Sequence, residues 1–340
     1  MGRSYGSIEA PLGSREHMGS TGRRATLTNT SDRSSGDERL GDSLMRIVVY
    51  VAIFAISISS SSAGREILVP GDFPTIRSAV EAAGDGDSIV VSPGTYKEAI
   101  LILKPNIQLH LIGKGKPTLR NMIKIVEAKW VTVEGFKMIG GTDESHGGVV
   151  SQNSSLTLKD MEISGFHHGV MISNGSAEIS NCHITDSFNV CLQVSYGDLL
   201  LTDSVLTDSG TGLILSGGGV MLIKGNSFIG NEIGIQCVDS APVLRRNLIK
   251  GNGYGLMSID ARPDLGSEDD HGENSFVANE VHIRNQGAKA ISAIGNYWDD
   301  PGGPPFKSIE GRVLFKPWLK NDPLNGVGLK SGGKIAFLWA

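Results

Sequence analysis

Residues 169–216 read GVMISNGSAEISNCHITDSFNVCLQVSYGDLLLTDSVLTDSGTGLILS, and the stretch repeats itself about every 22 residues. Aligned on a polar Asn or Asp followed by an apolar strand, the chain yields KDMEI, SNCHI, TDSVL, GNSFI, RNLIK, ENSFV and GNYW. The marked positions are Asp160, Asn181, Asp203, Asn226, Asn247, Asn274 and Asn296. Their intervals are 21, 22, 23, 21, 27 and 22 residues. Eight or nine residues after most marks a Gly opens a second strand: Gly169, Gly212, Gly234 and Gly255, with Asn189 taking the Gly place in one copy. A third short apolar segment lies between these marks (SLTLKD, SAEISN, DLLLTD, VMLIKG, PVLRRN).

Three strands of four or five residues, split by Gly, Asn, Asp and Ser turns, leave no room for a helix at period 3.6. Repeats of this length mean stacked units. The fold class predicted is therefore all-β: a single-stranded right-handed parallel β-helix, with coils of about 22 residues and three short strands each. Coils stack about 4.8 Å apart, so like residues meet along the axis. Val170, Cys191, Leu213, Ile235 and Leu256 are expected to align inside. The seven Asn and Asp marks are expected to form a structural ladder that satisfies backbone groups at one turn. The 27-residue interval holds an insertion, RPDLGSEDDHGENS (262–275), expected to leave the cylinder as a loop.

Composition agrees with short strands and tight turns. The chain of 340 residues has 45 Gly, about twice the usual share, and only 6% aromatics. A net charge of −5 with no basic stripe argues against nucleic acid, whose phosphates need clustered Lys and Arg. The three cysteines, Cys182, Cys191 and Cys237, have neither zinc spacing nor an even count, and are read as buried free thiols.

Residues 1–44 carry six basic and six acidic residues and almost no apolar runs, too little to order a core. They are read as a disordered or mis-annotated extension, with Met45 as the expected start. Residues 45–63 have a basic residue, an apolar run at 47–58 and a small-residue end at Ala63-Gly64. That is the pattern of a secretory signal peptide, too short to span a bilayer. The alternative is an N-terminal anchor. The β-helix is expected over 64–320, with an irregular tail at 321–340, and the protein is expected to be secreted, periplasmic or on the cell surface.

A solenoid needs lids at both ends. Ile76, Ala79, Val80 and Ala83 fall at i, i+3, i+4 and i+7, which predicts an N-terminal capping helix over 74–83. At the other end Trp298, Phe315 and Trp318 are expected to close the cylinder.

The segment FPTIRSAVEAAGDGDSIVVSPGTYKEAI resembles the start of pectinesterases and other right-handed β-helix families. The segment ARPDLGSEDDHGENSFVANEVHIRNQGAKAISAIGNYWDDPGGPP, with the later GRVLFKPWL, resembles secreted β-helix proteins of the DUF1565 and NosD/CASH types. The resemblance covers about residues 66–319. It implies the pectin-lyase-like fold, and it implies no single activity, because that superfamily mixes lyases, hydrolases, esterases, epimerases and uncharacterised surface proteins. The pectinesterase segments Q-D-T-L and L-G-R-P-W and the polygalacturonase segments N-T-D and R-I-K are missing.

Other candidate chemistry is scattered. The acidic loop residues Asp264, Glu268, Asp269 and Asp270, with Glu273, could supply oxygens to Ca²⁺. No other cofactor is expected. Outward carboxylates (Asp186, Asp198, Asp208, Asp239, Asp260) and bases (Arg245, Arg246, Lys250) are the material a lyase would use. His167-His168 could ligate a metal, and NosD-like proteins are linked to copper-enzyme maturation. Phe166, Phe188, Tyr196 and Tyr254 could stack on sugar rings. The leading expectation is an exported protein that binds a polysaccharide or cell-surface glycan along its flank. The alternatives are a polysaccharide lyase or glycoside hydrolase, and a NosD-like periplasmic maturation factor.

Overall fold

A computed structural model describes residues 64–141, 147–305 and 307–325. The expectations for 1–44, for the leader at 45–63 and for residues 326–340 of the tail lie outside the described residues.

The chain winds through three parallel sheets in turn. Sheet 1 has nine strands, from Glu66–Val69 to Val243–Arg245; sheet 2 has nine, from Thr95–Tyr96 to Ser275–Val277; sheet 3 has ten, from Ile100–Ile102 to Ile309–Glu310. Each coil contributes one strand to each sheet, in the order 1, 2, 3. Neighbouring strands pair parallel with partners one coil away, for example Ser176↔Asp198 and Ile163↔Ile184. The protein is a right-handed parallel β-helix, as the repeat predicts.

Strand alternation builds the core. Along sheet 1 every second residue turns inward, so Val131, Leu156, Ala177, Leu199 and Met221 form one fully buried aliphatic column. In sheet 3 the inward column is Val170, Leu192, Leu213, Ile235 and Leu256. Leu192, not Cys191, is the member from its coil. The register instead sets Cys191 opposite Gly169 and Gly212, so Cys191, not Asn189, holds the Gly place. The cause is one extra residue. Three residues separate Asp186 from the strand at Val190, where two separate Gly165 from His168 and Asp208 from Thr211. The Gly column is otherwise tight: a Cβ on Gly212 would lie 2.6 Å from the Gly234 carbonyl oxygen. The Cys191 thiol is accommodated by Ser209 Oγ at 3.0 Å and the Ile184 carbonyl at 3.3 Å.

The seven marked residues do not form one ladder. Asp160 (φ 54°), Asn181 (φ 51°) and Asp203 (φ 48°) occupy the left-handed position that turns the chain from sheet 1 to sheet 2. Gly225, Arg246 and Glu273 share that position in later coils. Asn226, Asn247, Asn274 and Asn296 stand one residue further on and turn inward. Each Oδ1 accepts the backbone N–H of the residue one coil earlier: Ser204 N at 2.9 Å, Asn226 N at 3.0 Å, Asn247 N at 2.9 Å and Asn274 N at 2.9 Å. The same register in earlier coils holds Phe136, Met161, Cys182 and then Ser204, so one corner passes from apolar filling to an amide ladder. Both solutions leave the corner packed. A second ladder, Asn231, Asn252 and Asn279, repeats this at the corner from sheet 2 to sheet 3. The sequence signal for it was the recurrent Asn two residues before strands 233–238, 254–259 and 281–285.

Both lids form. The helix α1 (Ile76–Ala82) starts at Thr75, whose Oγ1 accepts Ser78 N at 3.1 Å. The Glu98 carboxylate accepts Ile76 N and Arg77 N, each at 2.9 Å. Ile76, Ala79 and Val80 are buried on the first coil. At the far end Trp298 is fully buried and stacks on Phe276, centroids 4.8 Å apart and planes within 16°. Phe315 and Trp318 continue the cluster.

Candidate functional site

The corner from sheet 2 to sheet 3 carries the densest group of outward chemistry. A shallow depression of about 550 Å³ is lined there by Asp186, Ser187, Phe188, Asp208, Ser209 and Gly230. Asp186 (φ 51°) and Asp208 (φ 53°) occupy the left-handed corner position in consecutive coils, which Asp tolerates better than most residues. Their side chains therefore leave the cylinder one above the other. Asp208 Oδ2 accepts from Thr207 Oγ1 at 2.9 Å. The extra residue of this coil pushes Phe188 outward, and its ring is 72% exposed. Beneath it the Phe188 and Asn189 N–H groups donate to Phe166 and His167 carbonyls, both at 3.0 Å.

The two histidines stand at the same corner one coil earlier, with His168 opposite Val190. His167 and His168 bring their Nδ1 atoms to 3.0 Å, and His168 Nε2 lies 3.2 Å from Asn189 Nδ2.

The acidic insertion lies against the cylinder. Asp264 stays in the cylinder and bridges Val243 to Ser292, continuing sheet 1. The excess chain folds back onto the outer face of that sheet, over Arg245, which is only 8% exposed. The guanidinium donates to Asp270 Oδ2 at 2.7 and 3.1 Å, to Asp264 Oδ2 at 3.1 Å and to the Asp264 carbonyl at 3.0 Å. Burial alone would lower the Arg245 pKa, but the two carboxylates outweigh it and hold the cation charged. Two of the four proposed oxygen donors thus face an arginine, while Glu268 and Asp269 point into solvent. Glu273 pairs with Arg246 at 2.6 Å. Among the described residues no group of three or more His, Cys, Asp or Glu could hold a metal ion.

The other candidates are dispersed. Asp239 and Asp260 occupy the left-handed position at the corner from sheet 3 to sheet 1, and Asp198 accepts Val220 N at 2.7 Å. Arg245 and Arg246 are committed to ion pairs around the insertion, while Lys250 stands exposed on sheet 2 opposite Ile229, two coils beyond Thr207. Phe166 is buried; Tyr196 is exposed at the 3-to-1 corner; Tyr254 lies under the Arg284 guanidinium, 4.3 Å from its ring centre. All three cysteines are buried, and burial pushes their thiols up, Cys182 and Cys237 to about 12 and Cys191 to about 11. They are poor nucleophiles there.

This is the architecture of a parallel β-solenoid that carries outward polar and charged residues at its corners. The family model described as "Periplasmic copper-binding protein (NosD)" matches residues 105–308, and the chain belongs to the NosD family. Among solved structures it is similar to the PL6 family alginate lyase AlyGC, at 15% identity and a TM-score of 0.44 over 73% of this chain and 40% of that one. It is similar to pectate lyase Pel9A at 14% identity, TM-score 0.44, over 76% and 79% of the two chains. The A-module of mannuronan C-5 epimerase AlgE6 from Azotobacter vinelandii follows at 12% identity, TM-score 0.39, over 70% and 85%. The chain thus spans 40% of the length of the alginate lyase. No curated protein matches its sequence. Among the described residues no helix is long and apolar enough to cross a membrane.

Proposed function

We propose that the protein is exported through its leader at 45–63 and binds a glycan chain at the corner between sheets 2 and 3. One observation carries this reading: Phe188 is held 72% exposed beside two outward carboxylates in a depression. Covering an exposed ring with an apolar surface removes it from water, which is favourable. A sugar offers an apolar face to the ring and hydroxyls to Asp186 and Asp208. Glycan-array binding by the protein from Gly64 onward, compared with Phe188→Ala, tests it. Retention by the parent protein and loss in the variant is the expected result; equal binding by both would remove the corner from the reading.

A second reading is copper binding by His167 and His168, favoured by their Nδ1 separation of 3.0 Å and by the family description. Two imidazole nitrogens at that spacing suit adjacent positions on one copper ion, a metal that imidazole ligates well. The bound metal would supply redox or transfer chemistry, while the protein's part is to hold the two rings side by side. Titration with Cu²⁺, followed by the d–d absorbance of parent and His167→Ala protein, separates the readings.

A further inference from the structure

We infer that a glycan held at Phe188 continues across the outer face of sheet 3 to Tyr196, and that the chain so held is uncharged. This rests on the glycan reading above and names its ligand class and path.

Phe188 and Tyr196, 72% and 70% exposed, are the two Phe, Tyr or Trp rings that stand mostly in solvent among the described residues. They belong to one coil and flank one strand of sheet 3, Val190–Ser195. Tyr196 follows Phe188 by eight residues, roughly 25 Å of extended chain. Both rings border the following coil, where glycines replace side chains. Phe188 shares its depression with Ser209 and Gly210. The Tyr196 ring lies on the Gly217 backbone, where a Cβ would stand 2.5 Å from its Cδ1. A Cβ on Gly218 would meet no atom within 4 Å, so the space beside the tyrosine is open.

A second observation concerns the strip between the rings. Gln193 and Ser195 stand outward on this strand, and Ile214 and Ser216 beside them on the next. Ser195 and Ser216 bring their Oγ atoms to 3.0 Å, and Gln193 Nε2 lies 3.5 Å from Ser195 Oγ. The central outward column carries no charge from Val150 to Met257; charge returns at Lys124, three coils before Gln193, and at Arg284, four coils after it. The serine column is uncharged from Val126 to Ile259. Toward Phe188, Val190 lies between His168 and Thr211. Closer charges stand past the ends: Asp186 and Asp208 beside Phe188, and Asp198 beyond Tyr196, while Lys250 is around the corner on sheet 2. Sugar rings offer apolar faces to Phe188 and Tyr196, and their hydroxyls can exchange hydrogen bonds with Gln193 and the serines between. A polyuronate would lay a carboxylate from every sugar over a strip that holds no Lys or Arg, and taking those charges out of water costs free energy. An uncharged chain carries no such cost.

The test is calorimetry with β-1,4-linked hexasaccharides of glucose, mannose and N-acetylglucosamine, with their disaccharides, which are too short to touch both rings, and with a galacturonate hexamer. The parent protein is compared with Phe188→Ala and with Tyr196→Asn. Asn tolerates the left-handed position of Tyr196 (φ 53°), so this variant keeps the corner backbone. An uncharged hexasaccharide is expected to bind the parent more tightly than its disaccharide does, and each variant to weaken the hexasaccharide about tenfold. Higher salt is expected to leave that affinity unchanged. Hexasaccharide binding that Tyr196→Asn leaves intact while Phe188→Ala weakens it, or tightest binding of the galacturonate, overturns this inference and leaves the glycan reading standing. No binding of any oligomer overturns both.

Discussion

His282 shows how one buried side chain makes the molecule sensitive to acid. It is 2% exposed, between Phe276 and Trp298, with Nδ1 beside Asn279 Nδ2 at 3.3 Å. Burial pulls its pKa down to about 4, against a weaker opposing pull from Asp299. The unfolded chain takes up this proton near pH 6.5 and the folded one only near 4. Stability from neutral His282 is thus complete above 6.5 and drains away as pH falls toward 4, by at most about 3 kcal/mol. Urea midpoints measured from pH 7.5 to 4 should fall in that window, and His282→Leu should flatten the fall; an unchanged slope would show that other groups carry it. The corner columns make a second test. Asn247 is fully buried, accepts Asn226 N, and donates to the Ile223 carbonyl and Asn274 Oδ1, both at 2.9 Å. Asn247→Ala strands those groups and should cost about 2–4 kcal/mol. Asn181→Ala, on the exposed left-handed column, should cost only about 1 kcal/mol, and Asn181→Gly almost nothing. In the sequence these two asparagines look alike, because each stands at the start of the same polar-apolar unit. Only φ separates them: Asn181 at 51° faces solvent, and Asn247 one register further faces the core. The repeat period was therefore legible, and the assignment of each amide to a column was not.

At the scale of an element, the insertion is fastened by its arginine. Arg245 lies 19 and 25 residues before Asp264 and Asp270, about one coil upstream, and its outward strand position places it beneath them. The acidic run invites a cation from solution when read alone, because the sequence does not reveal which residue of the previous coil lies below it. The spacing of the coils predicted that the insertion would leave the cylinder, yet Asp264 kept its rung on sheet 1 and only the following residues left. Removing both acids, in Asp264→Asn/Asp270→Asn, leaves the guanidinium buried without its anions. The cost should be about 2 kcal/mol, below that of a fully buried pair because both carboxylates are partly exposed. The loop should also open locally, which a protease specific for glutamate would report as faster cleavage after Glu268. Added Ca²⁺ should leave the parent protein's melting temperature unchanged; a rise of several degrees would mean that Ca²⁺ competes with Arg245 for the loop.

For the molecule as a whole, stability depends on the ends, because each coil touches only its neighbours. The helix α1 buries Ile76, Ala79 and Val80 at the first coils, and the far end depends on one stack, Phe276 on Trp298, backed by Phe315. Trp298 is the largest fully buried side chain among the described residues. Trp298→Ala should cost about 3–5 kcal/mol, the range for deleting a buried aromatic. The spatial distribution of that loss is the more informative quantity. In a stack of coupled coils, damage at the C-terminal lid raises the population of states with the last coils open, and each further coil must be opened at added cost. Hydrogen exchange in Trp298→Ala should therefore rise most at Val281–Asn285 and Ser275–Val277, less at Ile233–Val238, and little at Gln108–Gly113. The corner proposed to bind glycan, at Asp186 and Asp208, lies between these limits, five and four coils from the damaged end, so glycan binding should outlast the loss of the lid. A uniform rise across all three sheets would instead mean that the solenoid opens as one unit, and the corner would then fail together with its cap.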